Sequence, residues 1–310
     1  MTGTARRDSP WGPVEVADAH LHFFSHRFYD LLAKQAGLAH AAEVCARAGV
    51  DAPPPDPSGF AAQWSAELDR HGVARAVLLA SLPGDEPSVA AAVRSHPDRF
   101  FGWFFANPTM PGAAARIEEW LDHGLRGLCL LPAMHGYPLQ DARVEEALRA
   151  AEKHRAVVFV HCGALSVGIR ARAGAPSPFD MRFSNPIDLH PLALRHPAVT
   201  FVIPHFGGGY FREALMTASL CPNVHFDTSS SNSWTKYLSP PPSLEQVFER
   251  ALEVLGPQRL LFGTDSSFFP RGWVQAVFDR QCEALSRIGV QAQDAQQIFA
   301  GNLLRLMQTP

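Results

Sequence analysis

The chain has 310 residues, of which 46% are hydrophobic and 18% charged, a composition typical of a soluble globular protein with a large core. Its formal net charge of −3 gives no electrostatic reason to expect nucleic acid or an anionic membrane surface as a partner. Its five cysteines are odd in number and never occur as C-x-x-C, which favours free thiols in a reducing compartment over a disulfide framework.

The first residues, 1–13, contain no apolar signal region, and no run in the chain approaches the roughly 18 apolar residues of a membrane span. The sequence therefore predicts a cytoplasmic protein without a membrane or nucleic-acid partner. A homo-oligomer stays open, because the sequence does not show how many copies assemble.

The first predicted strand ends in two histidines. A short apolar run from residue 14 leads into Asp18-Ala19-His20-Leu21-His22. Residues two apart in an extended strand share a face, so His20 and His22 can present two imidazoles to one point. Neutral imidazole is a common zinc ligand. Taken alone, the pair is better explained by two hydrogen-bonded polar side chains at the end of a strand, and only the rest of the chain favours a metal site.

An irregular segment, residues 23–59, follows this strand. It contains a helix-like stretch over residues 28–49 and ends in a proline-rich stretch over residues 53–57. Prolines there cannot continue a helix or lie in a central strand. We predict that residues 23–59 form an insertion, which would lie as a lid over the mouth of the barrel described below.

From residue 60 onward, helical and strand-like patterns alternate without a clear domain boundary. The strands are near-continuous apolar runs, typical of a parallel sheet that is buried on both faces. With the first strand there are eight, which predicts one distorted (β/α)₈ TIM barrel over residues 1–310 rather than an open doubly wound sheet. The later strands are predicted at residues 74–80, 100–105, 127–131, 157–161, 199–203, 224–227 and 260–262, and the helices at residues 61–71, 88–96, 113–123, 144–154, 191–196, 211–220, 244–255, 273–288 and 294–307.

Three more ionisable residues follow other strands of this barrel. His161 ends the fifth predicted strand, His205 follows the sixth and Asp265 follows the eighth. All strands of a barrel run the same way, so these side chains gather with His20 and His22 at the carboxyl-terminal rim, where barrel enzymes carry out their chemistry. Each residue alone has a simpler explanation, since a histidine can be a satisfied polar group and an aspartate after a Gly-Thr turn can cap a helix.

Taken together and in this order, these stretches resemble the amidohydrolase superfamily, specifically its amidohydrolase-2 (ACMSD-like) branch of metal-dependent hydrolases and decarboxylases. The resemblance spans almost the whole chain and implies a family of reactions, not one substrate. It is carried by Asp18-Ala19-His20-Leu21-His22, Val160-His161-Cys162-Gly163, His205-Phe206-Gly207-Gly208-Gly209, Phe262-Gly263-Thr264-Asp265 and Phe299-Ala300-Gly301-Asn302-Leu303-Leu304.

The resemblance implies that His20, His22, His161 and Asp265 bind one divalent metal ion, with His205 beside it as general acid and base. Three imidazoles and one carboxylate leave a position open for water or substrate. Asp265 can also accept a proton from the metal-bound water. The glycines 207–209 allow either a sharp turn or a close approach of the backbone to a ligand.

A second metal ion is not expected. Relatives with two metals use a carboxylated lysine on the fourth strand, but that strand reads Leu128-Cys129-Leu130-Leu131, and the three lysines, Lys34, Lys153 and Lys236, lie elsewhere. Zinc is the first expectation and manganese the alternative, because sites built from histidine and carboxylate discriminate poorly between them.

Arginine and aromatic residues in the loops after the later strands predict the substrate class. Planar guanidinium groups suit bidentate recognition of carboxylates, although any one loop arginine can simply lie at the surface. We therefore expect a small carboxylated or aromatic organic substrate. The predicted binding residues are Arg170, Arg172, Arg182, Trp234, Phe269 and Arg271, and Asp227, Ser230, Asn232, Ser233, Phe268 and His135 lie in the same loops.

The family resemblance leaves two reactions open on one site. Hydrolysis of an amide, ester or lactone by metal-activated water is the first expectation. Non-oxidative decarboxylation of an aromatic or unsaturated carboxylic acid is the alternative, with His205 or Asp265 protonating the carbon that loses carbon dioxide. A catalytically silent binding protein is a third hypothesis, which the five intact site residues argue against.

Overall fold

A computed structural model describes residues 5–165, 167–229 and 234–308. Eight parallel strands form one sheet in which each strand pairs with the next along the chain. This confirms the predicted (β/α)₈ architecture. The strands are β1 (Ala17–His22), β2 (Arg75–Ala80), β3 (Phe100–Ala106), β4 (Gly127–Leu130), β5 (Val157–Val160), β6 (Phe201–Ile203), β7 (Val224–Asp227) and β8 (Leu260–Leu261).

The last strand is only two residues long, and the barrel closes through the segment that follows it. The Ala19 N–H donates to the Phe262 carbonyl at 2.8 Å, and the His22 N–H donates to the Ser266 carbonyl at 2.8 Å. The Asp265 N–H donates back to the His20 carbonyl at 2.9 Å. These bonds place the residues after β8 directly beside the histidines of β1.

Helices cover the outside of the sheet, and most lie within a few residues of their predicted positions. The predicted C-terminal helix is divided by a π-helical turn at Gln297–Gly301. The helices are α1 (His26–Ala36), α2 (Ala41–Ala48), α3 (Pro57–Arg70), α4 (Glu86–Ser95), α5 (Ala113–Asp122), α6 (Pro132–His135), α7 (Ala142–His154), α8 (Gly168–Ala173), α9 (His190–Arg195), α10 (Phe211–Leu220), α11 (Leu244–Leu255), α12 (Gln275–Arg287), α13 (Ala292–Gln296) and α14 (Asn302–Gln308).

The insertion after β1 contains two helices where the sequence pattern predicted one. Gly37 takes φ 68° and caps the end of α1 in the left-handed conformation, so the chain turns before α2 begins. The two helices share a small hydrophobic cluster with α8, built around Phe28, Leu32, Val44 and Ile169. This cluster is separate from the core of the barrel. That the insertion works as a lid stays a prediction.

Apolar side chains fill the lower part of the barrel interior. Val77, Trp103 and Phe159 belong to this inner cluster, and Leu303 and Met307 of α14 join it. Trp103 has room because β4 begins with glycine: a Cβ on Gly127 would lie 2.7 Å from the indole. The interior is therefore a packed core, and open space remains only towards the carboxyl ends of the strands.

All five cysteines are free and buried, as the sequence predicted. Within the described ranges, no helix is both long enough and apolar enough to span a bilayer.

Candidate metal centre

Three side chains at the carboxyl end of the barrel direct their ligand atoms at one another. The Nε2 atoms of His20 and His22 lie 3.3 Å apart. Asp265 Oδ1 lies 3.1 Å from the His22 nitrogen and 3.6 Å from the His20 nitrogen. Two ligand atoms that are each about 2.1 Å from a tetrahedrally coordinated ion lie roughly 3.4 Å apart. The trio therefore has the spacing required of three ligands of one small cation.

The orientation of His22 is fixed by Ser81, which follows β2. The Ser81 hydroxyl donates its only proton to the Leu79 carbonyl at 3.1 Å. Its oxygen can then only accept from His22 Nδ1, which lies 2.6 Å away. A neutral His22 with a proton on Nδ1 has an unprotonated Nε2. That lone pair faces the trio and is available to a metal ion.

His20 is held in the same way by Asp227, the last residue of β7. Its Nδ1 lies 2.6 Å from Asp227 Oδ2, and both side chains are buried. The carboxylate accepts the Nδ1 proton, so the neutral imidazole presents an unprotonated Nε2. A buried carboxylate behind a histidine is the usual support of a metal ligand, because it fixes both the tautomer and the ring orientation.

These hydrogen bonds leave two imidazole lone pairs and one carboxylate oxygen facing the same point, an arrangement that a cation stabilises. Burial lowers the pKa of His20, but the Asp227 carboxylate more than reverses this and raises that pKa to about 9. Without a metal, a proton on His20 supplies the positive charge. A divalent ion would replace that proton, so the residues fit a metal and its binding should release protons.

His161 lies beside the trio but is not part of its tight group. The group whose ligand atoms lie within 4.8 Å of one another comprises His20, His22 and Asp265. His161 is buried, and its Nε2 has no hydrogen-bond partner among the described residues. Burial lowers its pKa to about 3, so the imidazole is neutral. A buried, neutral and unpartnered nitrogen is suited to a metal, but its ligation stays a prediction.

The His205 ring lies close to the rings of both His20 and His161. Its ring centroid is 5.1 Å from that of His20 and 5.5 Å from that of His161. Its Nδ1 lies 3.0 Å from the Ser229 carbonyl, which can only accept, so the proton is on Nδ1. The Ser229 hydroxyl bridges His205 Nδ1 at 3.0 Å and His20 Nδ1 at 2.9 Å. With a proton on Nδ1, the uncharged form of this imidazole has an unprotonated Nε2 that can accept a proton.

The loop that carries His205 has an uncommon backbone. Residues 205–209 all have positive φ, including His205 at 55° and Phe206 at 53°. Left-handed backbone is unfavourable for a non-glycine residue and persists only where the surroundings hold it in place. Such a conformation restricts the position from which the imidazole can reach the metal site.

The loop after β5 provides that support. A Cβ on Gly163 would lie 2.3 Å from the carbonyl oxygens of Gly207 and Gly208. The Ala164 N–H donates to the Gly208 carbonyl at 2.8 Å. The glycines thus serve the sharp turn and a close approach of two loops, which joins the segment of His161 to that of His205.

Asp18 connects β1 to the segment that carries Asp265. The register between β1 and β2 shifts between Asp18 and Leu21, which marks a bulge or irregularity. Asp18 Oδ1 accepts from the Thr264 N–H at 3.1 Å, and Oδ2 accepts from the Thr264 hydroxyl at 2.5 Å and from Trp273 Nε1 at 2.8 Å. This buried carboxylate therefore positions the residue directly before Asp265.

A cavity of about 300 Å³ opens above these residues. Its lining includes all five predicted site residues, His20, His22, His161, His205 and Asp265. The remaining wall is largely apolar and comes from the insertion, the barrel strands and α8. A volume at the lower end of the range for small-molecule sites suits a compact ligand with one ring.

Three of the predicted substrate-binding arginines line this cavity, namely Arg170, Arg172 and Arg271. Arg170 is mostly committed to the protein, because its Nη2 donates to Gln35 Oε1 at 2.8 Å and its Nε donates to the Pro176 carbonyl at 2.9 Å. It connects α8 with α1, so its main contribution is to hold the insertion in place.

The structure does not bring the other three predicted binding residues to the cavity. Arg182 is exposed and forms a bidentate pair with Asp180, two residues before it. Trp234 is buried against Phe206 and Phe211. Phe269 is buried, with its ring centroid 4.7 Å from that of Trp64. Each is held by a partner within the protein, and of these partners only Asp180 is close in sequence.

Other residues considered from the sequence also lie away from the cavity lining. His135 is at the end of α6, and burial lowers its pKa to about 4. His225 is buried within β7, as expected of a structural residue, and burial lowers its pKa to about 4 as well. Ser230, Asn232 and Ser233 lie outside the described residues.

A family model described as amidohydrolase (Amidohydro_2) matches residues 17–307, nearly the whole chain. The chain belongs to the amidohydrolase family. This confirms the resemblance drawn from the strand-end motifs. A curated relative of this amidohydrolase, Protein fluG of Emericella nidulans, is 34% identical over 87 residues, and the match covers 28% of this chain and 10% of that protein.

Solved structures show that the amidohydrolase fold extends over the full chain. An amidohydrolase of Burkholderia multivorans with bound zinc has a TM-score of 0.61 at 18% identity, covering 96% of this chain and 100% of the other. A 5-carboxyvanillate decarboxylase of Novosphingobium aromaticivorans, complexed with manganese and 4-hydroxy-3-methoxy-5-nitrobenzoic acid, has a TM-score of 0.63 at 15% identity, covering 99% of both chains. At these identities the likeness shows the fold alone.

Four residues orient the candidate ligands through hydrogen bonds, and the sequence analysis did not assign this role to them: Asp18, Ser81, Asp227 and Ser229. A usable signal existed for two of them. Asp227 ends β7 and Ser81 directly follows β2, so the rule that selected His161 and His205 also selects them. The role of Asp18 depends on a bulge and on a contact 246 residues away, which the local sequence does not show.

Proposed function

We propose that this amidohydrolase is a metal-dependent hydrolase that cleaves an amide, ester or lactone bond of a small organic substrate. The observation that carries the proposal is the arrangement of His20, His22 and Asp265. Buried partners fix the two imidazoles so that unprotonated nitrogens face one carboxylate oxygen. Such a fixed set of ligands is expected at a catalytic metal, where geometry must not relax during turnover.

The proposed ligands are His20, His22, His161 and Asp265, holding one divalent ion. Zinc is the first proposal and manganese the alternative, supported by the zinc and manganese bound in the two fold neighbours. Among the described residues that line the cavity there is no lysine to bridge a second ion. When bound, such an ion supplies a water whose pKa is lowered from 15.7 to about 7.

His205 is proposed as the general base and acid. Its Nδ1 proton is held by the Ser229 carbonyl, so its Nε2 can accept a proton from the attacking water and return it to the leaving group. Asp265 offers a second carboxylate oxygen for the same water. Phe105, Leu131 and Phe159 give the cavity an apolar wall on the side of the barrel interior.

Decarboxylation of an aromatic or unsaturated carboxylic acid is the second candidate. A decarboxylase is among the fold neighbours, and the present cavity combines aromatic walls with arginines. In this reaction His205, protonated on Nε2, would deliver its proton to the carbon that loses carbon dioxide. The same residues serve both reactions, so the choice depends on the substrate.

One experiment separates the two reactions. Protein reconstituted with zinc or manganese is incubated in ¹⁸O-labelled water, or in D₂O, with aromatic carboxylic acids and with their matched esters, amides and lactones. Hydrolysis places one ¹⁸O atom in the acid product and releases no bicarbonate. Decarboxylation releases bicarbonate and places one deuteron on the ring carbon. Metal-loaded protein that is inactive on every such substrate, while still binding them, would instead support a silent binding protein.

A further inference from the structure

One aromatic ring in the wall of the cavity, Phe268, contacts two arginines. The Arg271 guanidinium carbon lies 4.5 Å from the centroid of the Phe268 ring, and that of Arg172 lies 5.5 Å from it. All three residues line the cavity. Stacking on an aromatic face holds a guanidinium in place without using its N–H donors. Two positive charges are therefore brought together at one ring.

The two guanidinium groups are anchored only by neutral acceptors. Arg172 Nη1 donates to the Ala48 carbonyl at 2.8 Å. Arg271 Nη2 donates to Ser267 Oγ at 2.7 Å and to the Asp265 carbonyl at 3.0 Å. Within the described residues neither group has a carboxylate partner within 4.0 Å. Each guanidinium carries five N–H donors, so both retain donors for a ligand.

The charge balance of the cavity points the same way. Among the described residues that line it, three are arginines and one, Asp265, is acidic. The Asp265 carboxylate faces His20 and His22, as its distances show. Arg172 and Arg271 both lie against the Phe268 ring, so this part of the wall carries an excess of positive charge that a bound anion would balance.

We infer that Arg172, Phe268 and Arg271 form a carboxylate subsite, separate from the metal ligands, that selects substrates with an anionic group in addition to the reacting bond. The inference rests on the proposed function, because it assigns the non-reacting end of the same substrate. A planar carboxylate can accept two parallel hydrogen bonds from one guanidinium fork, the second arginine adds positive charge nearby, and the apolar wall suits an attached ring. The Asp265 carbonyl, which accepts from Arg271, connects the subsite to the metal end.

Isothermal titration calorimetry with non-reacting probes tests this assignment in the metal-loaded protein. The probes are benzoate, isophthalate and terephthalate, which share a ring and differ by a second carboxylate. The tighter of the two dicarboxylates should bind about 10–100-fold more tightly than benzoate, the usual gain for a charge-assisted hydrogen bond. In Arg271→Gln that gain should disappear. The exposed Arg182→Gln is the matched control and should keep it.

A second variant tests whether the loss of binding comes from the guanidinium group itself and not from a general change in the structure around the cavity opening. Arg172→Lys keeps the charge but loses the planar stack, so it should retain only part of the gain while melting at the wild-type temperature. Equal binding of benzoate and both dicarboxylates by wild type would overturn the inference. So would a gain that survives Arg271→Gln and disappears when the metal is removed, since the metal would then bind the second carboxylate. Discrimination among these probes by a protein that turns over none of the esters, amides, lactones and carboxylic acids named under Proposed function would leave the subsite standing and reject the proposed function.

Discussion

The two ends of the cavity are held in different ways. At the metal end, His20 and His22 each use Nδ1 to contact a buried partner at 2.6 Å, and Asp227 is fully buried. At the mouth, Arg172 and Arg271 contact backbone carbonyls, a serine hydroxyl and one aromatic face. The contacts of the two histidines are with buried partners, whereas the contacts of the two arginines lie near the solvent-exposed opening of the cavity.

This difference separates two tasks that one cavity must perform. Metal ligands must stay within a few tenths of an ångström of their geometry, which needs short buried hydrogen bonds on rigid strands. A group that recognises the substrate can adjust, because long side chains that stack on a ring still move with the loop and the insertion. We therefore expect substitutions at the metal end to change chemistry and metal content, those at the mouth to change selectivity, and those at the base of the insertion to change stability.

The largest effect is expected from removing a central metal ligand. His20→Ala takes away one nitrogen of the trio and leaves Asp227 buried without its partner, so metal content and activity should be lost together. Elemental analysis of protein purified without chelator should give about one equivalent of metal for wild type and almost none for the variant. Full metal and full activity in His20→Ala would contradict the assignment.

His205→Asn distinguishes a proton-transfer group from a ligand. We expect metal content to stay near one equivalent while turnover falls about 10²–10⁴-fold, the usual cost of losing a general acid or base. Metal stoichiometry and kcat should be measured on the same sample. If metal and activity decline in step, His205 is a ligand and the proposed mechanism is wrong.

Asp227→Asn tests whether the buried carboxylate that accepts from His20 Nδ1 increases metal affinity. An amide can still accept from His20 Nδ1 but carries no charge, so we expect metal affinity to fall about 10–100-fold. Competition with a chromogenic chelator measures this affinity directly. The surface substitution Asp98→Asn provides a matched control and should bind metal as wild type does.

The smallest effect is expected at the base of the insertion. Asp85 is buried, and its Oδ1 accepts from the Ser25 hydroxyl, the N-cap of α1, at 2.6 Å. Burial raises the pKa of Asp85 to about 7. The folded protein therefore holds a proton that the unfolded chain releases near pH 4, so this group contributes less stability as pH rises from about 4 to about 7.

A neutral residue at this position removes that dependence. Asp85→Asn should be more stable than wild type at pH 8 by about 1–2 kcal/mol, after allowing for its own unpaired amide, and should lose this advantage at pH 4–5. Urea unfolding at several pH values measures the difference, and Asp98→Asn should show none. An advantage that is the same at every pH would show that Asp85 does not carry the buried proton.

The sequence predicted the barrel because apolar strands and helices follow one another at regular spacing. It predicted the cavity residues because strand ends of a parallel barrel share one rim. It did not separate Arg182 from Arg271, although both are loop arginines. Arg182 has a carboxylate partner two residues away, at Asp180, and this Asp-x-Arg pattern was available as a sign of a local pair. Arg271 has no such neighbour in the chain.

Other features could not be predicted because they depend on contacts between distant segments. Gly37 ends α1 within a stretch whose helical periodicity continues beyond it, and the turn becomes visible only when α1 and α2 pack together. Asp18 belongs to the same short motif as His20, yet its partners are Thr264 and Trp273. A bulge in β1 changes the simple alternation, and local sequence does not show its position.

The contact between Asp18 and Thr264 also sets the order of events during biosynthesis. Thr264 lies 246 residues after Asp18, so the ribosome must complete almost the entire chain before this bond can form. His20 and His22 are made first and Asp265 near the end, and closing so long a loop requires the intervening strands to pair beforehand. A nascent chain that has not reached Asp265 therefore lacks one of the four proposed metal ligands. We expect metal binding to follow closure of the barrel, and a truncated chain ending before residue 264 should emerge from translation without metal.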